Sequence, residues 1–191
     1  HPKVRVTPHD KLVGALLDLT ARSDTAEGLF LPETWAFTAG DSDLDILRRA
    51  HFAMMELVGS LWDSRNPTSP FASPYEAIIL ASIVEKETGV PMERSQIAGV
   101  FVRRLSRGMR LQTDPSVIYG LGNSYDGNLT RRDLRDSDNR YNTYVIPALP
   151  PTPISLPGAN ALRAAFAPDD SEKLYFVAKG DGSHAFSENL A

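Results

Sequence analysis

The chain has 191 residues, 42% of them hydrophobic and 23% charged, with a formal net charge of -4 and no cysteine. This length and composition are those of one domain with a sizeable core, and they exclude a chain that is disordered throughout. The lack of cysteine excludes a disulfide scaffold, a thiolate zinc site and a cysteine nucleophile, while the mild acidity argues against a nucleic-acid surface. The longest apolar run is far shorter than the roughly 20 residues of a membrane span.

Three helices are predicted in the first 107 residues. Beyond Asp41, apolar residues at three-, four- and seven-residue spacings predict an amphipathic helix of about five turns. Ser73, Pro74 and Glu76 predict the N-cap, first residue and capping box of a second helix, apolar nearly all round and therefore buried. A third helix is expected over residues 92–107.

The rest of the chain changes from helices to turns and strands. Asp114 followed by proline, and residues 130–133, each resemble a cap that opens a short helix. Segments 141–146 and 173–178 have the β-branched and aromatic residues of strands, and a glycine-rich turn after the second predicts a hairpin through Phe186.

A proline-rich loop is expected before a helix over residues 159–166. The predicted fold class is α+β, with a helical N-terminal part that contains a buried helix and a small antiparallel β element toward the C-terminus.

Glu85 is the candidate for acid-base chemistry. It follows Ile78, Ala81 and Ser82 on one face of the buried helix, at the negative end of the helix dipole and two residues from Glu87. Burial, the dipole and the like charge each favour a raised pKa, as a general acid requires. The alternative is a solvated helix end. Glu87 projects about 200° away and is expected to be a surface or salt-bridging residue.

A cluster of amides, hydroxyls and aromatic rings is a second candidate feature. Such groups suit a sugar, whose faces stack and whose edges form hydrogen bonds, but they are equally common in turns. For Asp114 the alternative is an N-cap. The members of this cluster are Gln112, Thr113, Asp114, Tyr119, Tyr141, Asn142, Thr143 and Tyr144. The four histidines lack paired ligand spacing, so the sequence does not favour a metal hydrolase.

Six ordered blocks of sequence resemble the endolytic murein transglycosylase family, which is also called YceG-like. They begin at Glu27 and continue to the end of the chain. The blocks are residues 27–35, 81–88, 100–120, 141–144, 149–154 and 174–178.

The resemblance implies an enzyme that cleaves nascent peptidoglycan glycan strands internally, between N-acetylmuramic acid and N-acetylglucosamine, and leaves 1,6-anhydro ends. Glu85 would be the general acid and then the base. Gln112, Thr113, Asp114, Tyr141, Asn142 and Thr143 would bind the sugars, with Glu27, Glu33, Arg110 and Tyr119 as further candidates. No metal or cofactor is implied. Arg103, Arg104, Arg107 and Arg110 could contact anionic stem peptides, although a solvated helix end is expected for at least two of them.

The resemblance also implies a domain organisation, a cellular location and binding partners. Residues 1–26 would lead into a catalytic domain over 27–191, with a membrane helix and a LysM-like domain outside the printed sequence. The native protein would be anchored by one pass in the bacterial inner membrane with this domain facing the wall. Its partners would be glycan strands, together with peptidoglycan synthases or division proteins. A non-catalytic glycan-binding or division scaffold and a hydrolytic muramidase remain alternatives.

Overall fold

The α+β class predicted from the sequence is confirmed by a computed structural model, which describes residues 3–8, 11, 25–66 and 69–190. Most of the predicted N-terminal segment lies outside these residues. The helices are α1 (Asp43–Asp63), α2 (Pro74–Glu87), α3 (Arg94–Ser106), α4 (Asp114–Leu121) and α5 (Ala159–Phe166), followed by strands β1 (Tyr175–Ala178) and β2 (His184–Ser187). Short 3-10 segments lie at Pro91–Glu93, Gly122–Ser124 and Asp133–Arg135.

Helix α2 is the centre of the core, as its apolar sequence predicts. Every residue from Ala77 to Val84 is buried. Helices α3 and α5 pack most extensively against α2 and each other, and α1 and α4 contact α2 as well. An apolar helix that is enclosed in this way leaves only its ends at the protein surface, so the polar residues that follow Val84 are the first of α2 to reach a boundary of the core.

The predicted starts of α1 and α2 are confirmed, and the capping box predicted for α2 is confirmed in part. The Ser42 hydroxyl and the Asp45 carboxylate form a complete capping box on α1. On α2 the Ser73 hydroxyl accepts from the Glu76 backbone N–H at 3.4 Å, but the Glu76 carboxylate accepts from the N–H of Ala72 at 2.8 Å. The expected capping box on α2 is therefore only half formed.

Other predicted boundaries shift by a few residues. Residues 91–93 form a 3-10 turn, so α3 begins at Arg94, two residues later than predicted. Helix α3 ends before Gly108, whose φ of 65° is the left-handed conformation that favours glycine. Within the described part of the chain, no helix is both long and apolar enough to cross a membrane.

The predicted strand over residues 141–146 is wrong, because the segment folds into turns. The Asn142 side-chain amide donates to the carbonyls of Asp133 and Asp136 at 3.0 and 2.8 Å, and its oxygen accepts from the Tyr144 N–H at 3.0 Å. Within the segment, the N–H groups of Val145 and Ile146 donate to the Asn142 carbonyl, so these backbone groups are satisfied by local turns and not by a neighbouring strand.

The predicted hairpin is confirmed. Strands β1 and β2 pair antiparallel, with Phe176 opposite Phe186 and Ala178 opposite His184. Two arginines of α3 hold the segment that leads into β1. Arg103 Nε donates to the Lys173 carbonyl at 2.7 Å, and Arg104 Nε donates to the Leu174 carbonyl at 2.8 Å. These contacts fix the hairpin beside the C-terminal end of α2.

Candidate active site

The last turn of α2 directs two carboxylates to different surroundings. Glu85 reaches the start of α5, whereas Glu87 reaches the segment that precedes α4. Their opposite directions agree with the 200° between residues two apart on a helix. The two glutamates therefore have to be judged separately as acids.

Glu85 is held by groups of the fold. Its Oε2 accepts from the Gly158 backbone N–H at 3.0 Å, and its Oε1 lies 3.9 Å from Arg94 Nη2. The Glu85 side chain is 29% exposed. One turn earlier, the Ser82 hydroxyl accepts from the Ile154 N–H at 2.9 Å. Ser82 and Glu85 thus anchor the proline-rich loop to α2, and the buried apolar surroundings expected for Glu85 are not found.

Glu87 has the environment that was expected for Glu85. It is partly buried, and its Oε2 accepts from the Thr113 hydroxyl at 3.0 Å. Burial, with a contribution from the charge of Asp114, raises the pKa of Glu87 to about 7. The bond from Thr113 and the charge of His184 act in the opposite direction. The prediction of a surface or salt-bridging Glu87 is therefore wrong, since this carboxyl borders a cavity.

The cavity beside Glu87 has a volume of about 240 Å³. Its walls come from α2, α3, the residues around the start of α4, the loop after Asn142, and the hairpin. The lining residues are Glu87, Arg104, Leu111, Gln112, Asp114, Tyr144, Phe176, Ala178 and His184. Because Gln112 and Asp114 are exposed, the cavity opens to solvent beside the carboxyl of Glu87.

The segment before α4 is shaped by its contact with Thr143. Gln112 donates its N–H to the Thr143 carbonyl at 3.1 Å, and Thr113 donates its own to the Thr143 hydroxyl at 2.9 Å. Gln112 has a φ of 56°, the one positive value of a non-glycine among the described residues. Strained backbone of this kind concentrates at functional sites. Thr113 occupies the N-cap position of α4 without a capping hydrogen bond from its side chain, and its hydroxyl donates to Glu87.

Asp114 is the first residue of α4 and not its N-cap. Its Oδ1 accepts from the Tyr144 hydroxyl at 2.6 Å. Burial and this hydrogen bond raise the pKa of Tyr144, so the phenol remains a donor. The structure thus brings three predicted binding residues, Gln112, Thr113 and Asp114, to Glu87.

Two other predicted binding residues lie behind the cavity wall. Asn142 and Thr143 are both fully buried. The amide of Asn142 is committed to backbone groups, and the Thr143 hydroxyl contacts Thr113 and Ser116. From this position Asn142 and Thr143 support the segment that carries Gln112 and Thr113. Neither Asn142 nor Thr143 has exposed surface that a sugar could contact.

The remaining candidates lie apart from this cavity. The rings of Tyr141 and Tyr119 are 4.8 Å apart, and the Tyr141 hydroxyl is 2.8 Å from that of Thr152. Burial, together with the nearby Glu27 carboxylate, raises the pKa of Tyr119. Glu33 is exposed, as is Arg110.

Three other arginines were considered, with Arg110, as contacts to stem peptides. Arg103 binds Asp169 at 3.1 Å, and Arg104 is 7% exposed. Arg107 is solvated and pairs with Glu172. A solvated position therefore holds for Arg107 and Arg110, while Arg103 and Arg104 serve the fold.

His184 and Arg104 also line the cavity; the sequence predicted no role for His184, and predicted Arg104 only as a possible contact to stem peptides. His184 Nδ1 lies 2.7 Å from Glu93 Oε2, and its backbone N–H donates to Glu93 Oε1 at 2.8 Å. Arg104 Nη1 donates to the Leu111 carbonyl at 2.7 Å, and Arg104 is a lining residue of the cavity. The predicted hairpin through Phe186 was the one sequence signal that included His184. It predicted that His184 lies on a strand, but not that this strand lines the cavity.

Together these features define a class of protein: an α+β domain with a carboxyl of raised pKa in a cavity lined by amide, hydroxyl and aromatic groups. Such a site suits proton transfer to a polar substrate. The family model of the YceG-like family matches residues 5–191, and the chain belongs to that family.

Relatives and a solved structure agree with this assignment. An endolytic murein transglycosylase of Bacillus subtilis is 34% identical over 164 residues, which cover 86% of this chain and 45% of the relative. One from Streptococcus pneumoniae is 32% identical over 158 residues, covering 80% of this chain and 28% of the relative. The chain therefore spans less than half the length of these relatives. The crystal structure of a yceG-like protein from Listeria monocytogenes has a TM-score of 0.76 at 32% identity, and the match covers 95% of this chain and 62% of that one.

Proposed function

We propose that this chain is the catalytic domain of an endolytic peptidoglycan transglycosylase, with Glu87 as the general acid. The observation that carries the proposal is the position of Glu87, whose pKa is raised to about 7 at the wall of an open cavity. A carboxyl that is still protonated near neutral pH can donate to a glycosidic oxygen. The names of the relatives supply the substrate class.

Bond cleavage would begin with transfer of the Glu87 proton to the oxygen that links N-acetylmuramic acid to N-acetylglucosamine. The C1–O bond breaks and positive charge develops at the anomeric carbon. The Thr113 hydroxyl, 3.0 Å from Glu87 Oε2, then stabilises the carboxylate that forms. The same contact therefore favours the ionised product of the proton transfer.

The nucleophile would be the 6-hydroxyl of the same muramyl residue, which closes on C1 to form the 1,6-anhydro ring and releases its proton. An intramolecular nucleophile has an effective concentration of up to roughly 10⁵ M or more, so no activated water is needed. In the simplest scheme the ionised Glu87 accepts this proton and returns to its starting state.

A hydrolytic muramidase is the second candidate, because Asp114 lines the same cavity as Glu87. A second carboxylate could activate water or attack C1. The products separate the two reactions, since hydrolysis gives reducing muramic acid ends and transglycosylation gives anhydro ends.

The test compares glutamate-to-glutamine substitutions at two positions of α2. The parent, Glu87→Gln and Glu85→Gln are incubated with uncrosslinked glycan strands, and chain ends are counted by mass spectrometry. We expect anhydro ends from the parent and a loss of about 10²-fold or more in Glu87→Gln, the usual contribution of a general acid. Glu85→Gln should stay within a few-fold of the parent, because the glutamine oxygen can still accept from Gly158.

In the opposite pattern, folded Glu85→Gln is inactive and Glu87→Gln retains the parent rate. This result would indicate that the general acid is Glu85, the residue that the sequence predicts. Equal activity of all three proteins would remove both assignments. Circular dichroism spectra of the variants exclude loss of fold as the cause.

The cellular setting is proposed on the resemblance and on the greater length of the relatives. We place the domain on the wall side of the inner membrane, tethered through a part of the native protein outside this sequence, near peptidoglycan synthases or division proteins. Protease accessibility in spheroplasts tests the location, and crosslinking in dividing cells tests the partners.

A further inference from the structure

His184 and Glu93 form a hydrogen-bonded pair at the cavity, in addition to Glu87. Glu93 is 9% exposed and uses both carboxylate oxygens on His184, one on the imidazole and one on the backbone N–H. The Thr88 hydroxyl also donates to Glu93, at 3.3 Å. A carboxylate with three donors aimed at it is a built support for the imidazole.

The charge of Glu93 determines which imidazole nitrogen carries the hydrogen. Burial acts to raise the pKa of Glu93, but the bonds from the His184 side chain and backbone outweigh it, so the pKa lies below its ordinary value. An ionised carboxylate only accepts, and Nδ1 is therefore the donor to Glu93. In the neutral imidazole this leaves the lone pair of Nε2 free to accept a proton.

Neighbouring aromatic rings pack against the imidazole. The Phe176 ring meets the imidazole edge to face at 5.4 Å, and Phe186 lies at 6.4 Å. With Nδ1 bound to Glu93 and these rings beside it, the imidazole has little freedom to rotate. His184 is a lining residue of the cavity that Glu87 borders. A base held in this way is preorganised for proton transfer.

We propose that His184 is the base that removes the proton from the attacking 6-hydroxyl, with Glu93 as its positioning residue and Glu87 as the acid. This inference rests on the proposed function. The glycosidic C1–O bond breaks, and its electron pair stays on the leaving oxygen, which takes the proton of Glu87. The bond between O6 and C1 forms, and the O6 proton moves to His184 Nε2. Solvent then carries that proton from His184 back to Glu87, so both groups return to their starting states.

With separate acid and base groups, Glu87 does not have to contact both the glycosidic oxygen and O6 in one turnover.

The pH dependence of the pair reflects the charged or titratable groups around His184. These are Glu87 from α2, Glu93 from the 3-10 turn, Arg104 from α3, Asp114 from α4, Tyr144 from the following loop, and Lys173, which lies over the Phe186 ring at 5.6 Å.

The test uses His184→Ala, His184→Gln and Glu93→Gln, with His51→Gln as a matched control because the His51 imidazole contacts Leu29 outside the cavity. Anhydro ends are counted as a function of pH, with and without added imidazole. We expect a loss of about 10²-fold in both His184 variants and about 10-fold in Glu93→Gln, following the usual range for a general base. The acidic limb of the pH profile should disappear without His184, while the alkaline limb of Glu87 stays.

Chemical rescue separates a base from a structural residue. Added imidazole should restore at least a tenth of the parent rate to His184→Ala and none to Glu87→Gln. Parent-like rates in the two His184 variants, or a loss that keeps both pH limbs and resists imidazole, would overturn the inference while leaving the proposed function intact. A parent that makes no anhydro ends overturns the proposed function and this inference with it.

Discussion

Replacing Glu87 with glutamine should change how the stability of the protein depends on pH. The variant keeps the size and hydrogen-bonding capacity of the neutral carboxyl but cannot ionise. In the folded parent the pKa of Glu87 lies at about 7, against an ordinary value of 4.5. The folded state therefore holds a proton that the unfolded chain has already released between these two pH values.

The sign and size of the effect follow from proton linkage. A raised folded-state pKa contributes stability that is fully present below pH 4.5 and is lost as the pH rises through about 7. One pKa unit corresponds to about 1.4 kcal/mol, so the full difference corresponds to about 3 kcal/mol. Because Glu87 is only partly buried and water reaches the cavity, we expect about 2 kcal/mol to be measured.

The assay is urea unfolding of the parent and Glu87→Gln at half-unit steps from pH 4.5 to 8.5. The free energies of unfolding should agree near pH 4.5, and the variant should be the more stable protein at pH 8 by about 2 kcal/mol. Glu56→Gln, at an exposed position of α1, is the control and should follow the parent throughout. Parallel curves for the parent and Glu87→Gln between pH 5 and 8 would refute a raised pKa and with it the reason for choosing Glu87 as the acid.

Three further substitutions test features of the fold around the cavity. Asn142→Ala removes three hydrogen bonds to backbone groups in a buried turn, and urea unfolding should show a loss of about 2–4 kcal/mol; a loss below about 0.5 kcal/mol would contradict that role. Gln112→Gly relieves the φ of 56° and should raise the free energy of unfolding by up to about 1 kcal/mol while lowering activity, whereas a less stable protein would argue against strain. Gly99→Ala would push a β-carbon into the Asp169 carboxylate that binds Arg103, so thermal unfolding should show a loss of about 1–3 kcal/mol, and an unchanged melting temperature would contradict this close contact.

Local signals were sufficient for most of the secondary structure. The apolar spacing beyond Asp41 predicted α1, the Ser73 cap located the start of α2, and the helix predicted over residues 159–166 is α5. Each of these elements is encoded within its own segment by caps, spacing or flanking prolines. The segment 141–146 has strand-like residues, but it became turns because Asn142 found carbonyl partners at Asp133 and Asp136, which no local pattern shows.

The candidate site was less predictable, because its chemistry depends on which segments meet. Glu85 and Glu87 have nearly the same sequence surroundings, and both lie at the end of an apolar helix. What distinguishes them is the partner that each finds, Gly158 for one and Thr113 for the other. Gln112 and Asp114 were predicted as sugar-binding residues for a site with Glu85 as the acid, but they line a cavity with Glu87. The contact of His184 with Glu93 joins residues 91 positions apart.

The arrangement of the hairpin has a consequence for how the protein is made. Glu87 and Thr113 both lie in the first 113 residues, but β2 supplies the wall that contains His184 only after residue 184 has emerged. A chain synthesised from its N-terminus thus contains Glu87 and Thr113 well before it contains every wall of the cavity. An unfinished or C-terminally clipped molecule would therefore carry Glu87 without the wall of the cavity to which His184 belongs.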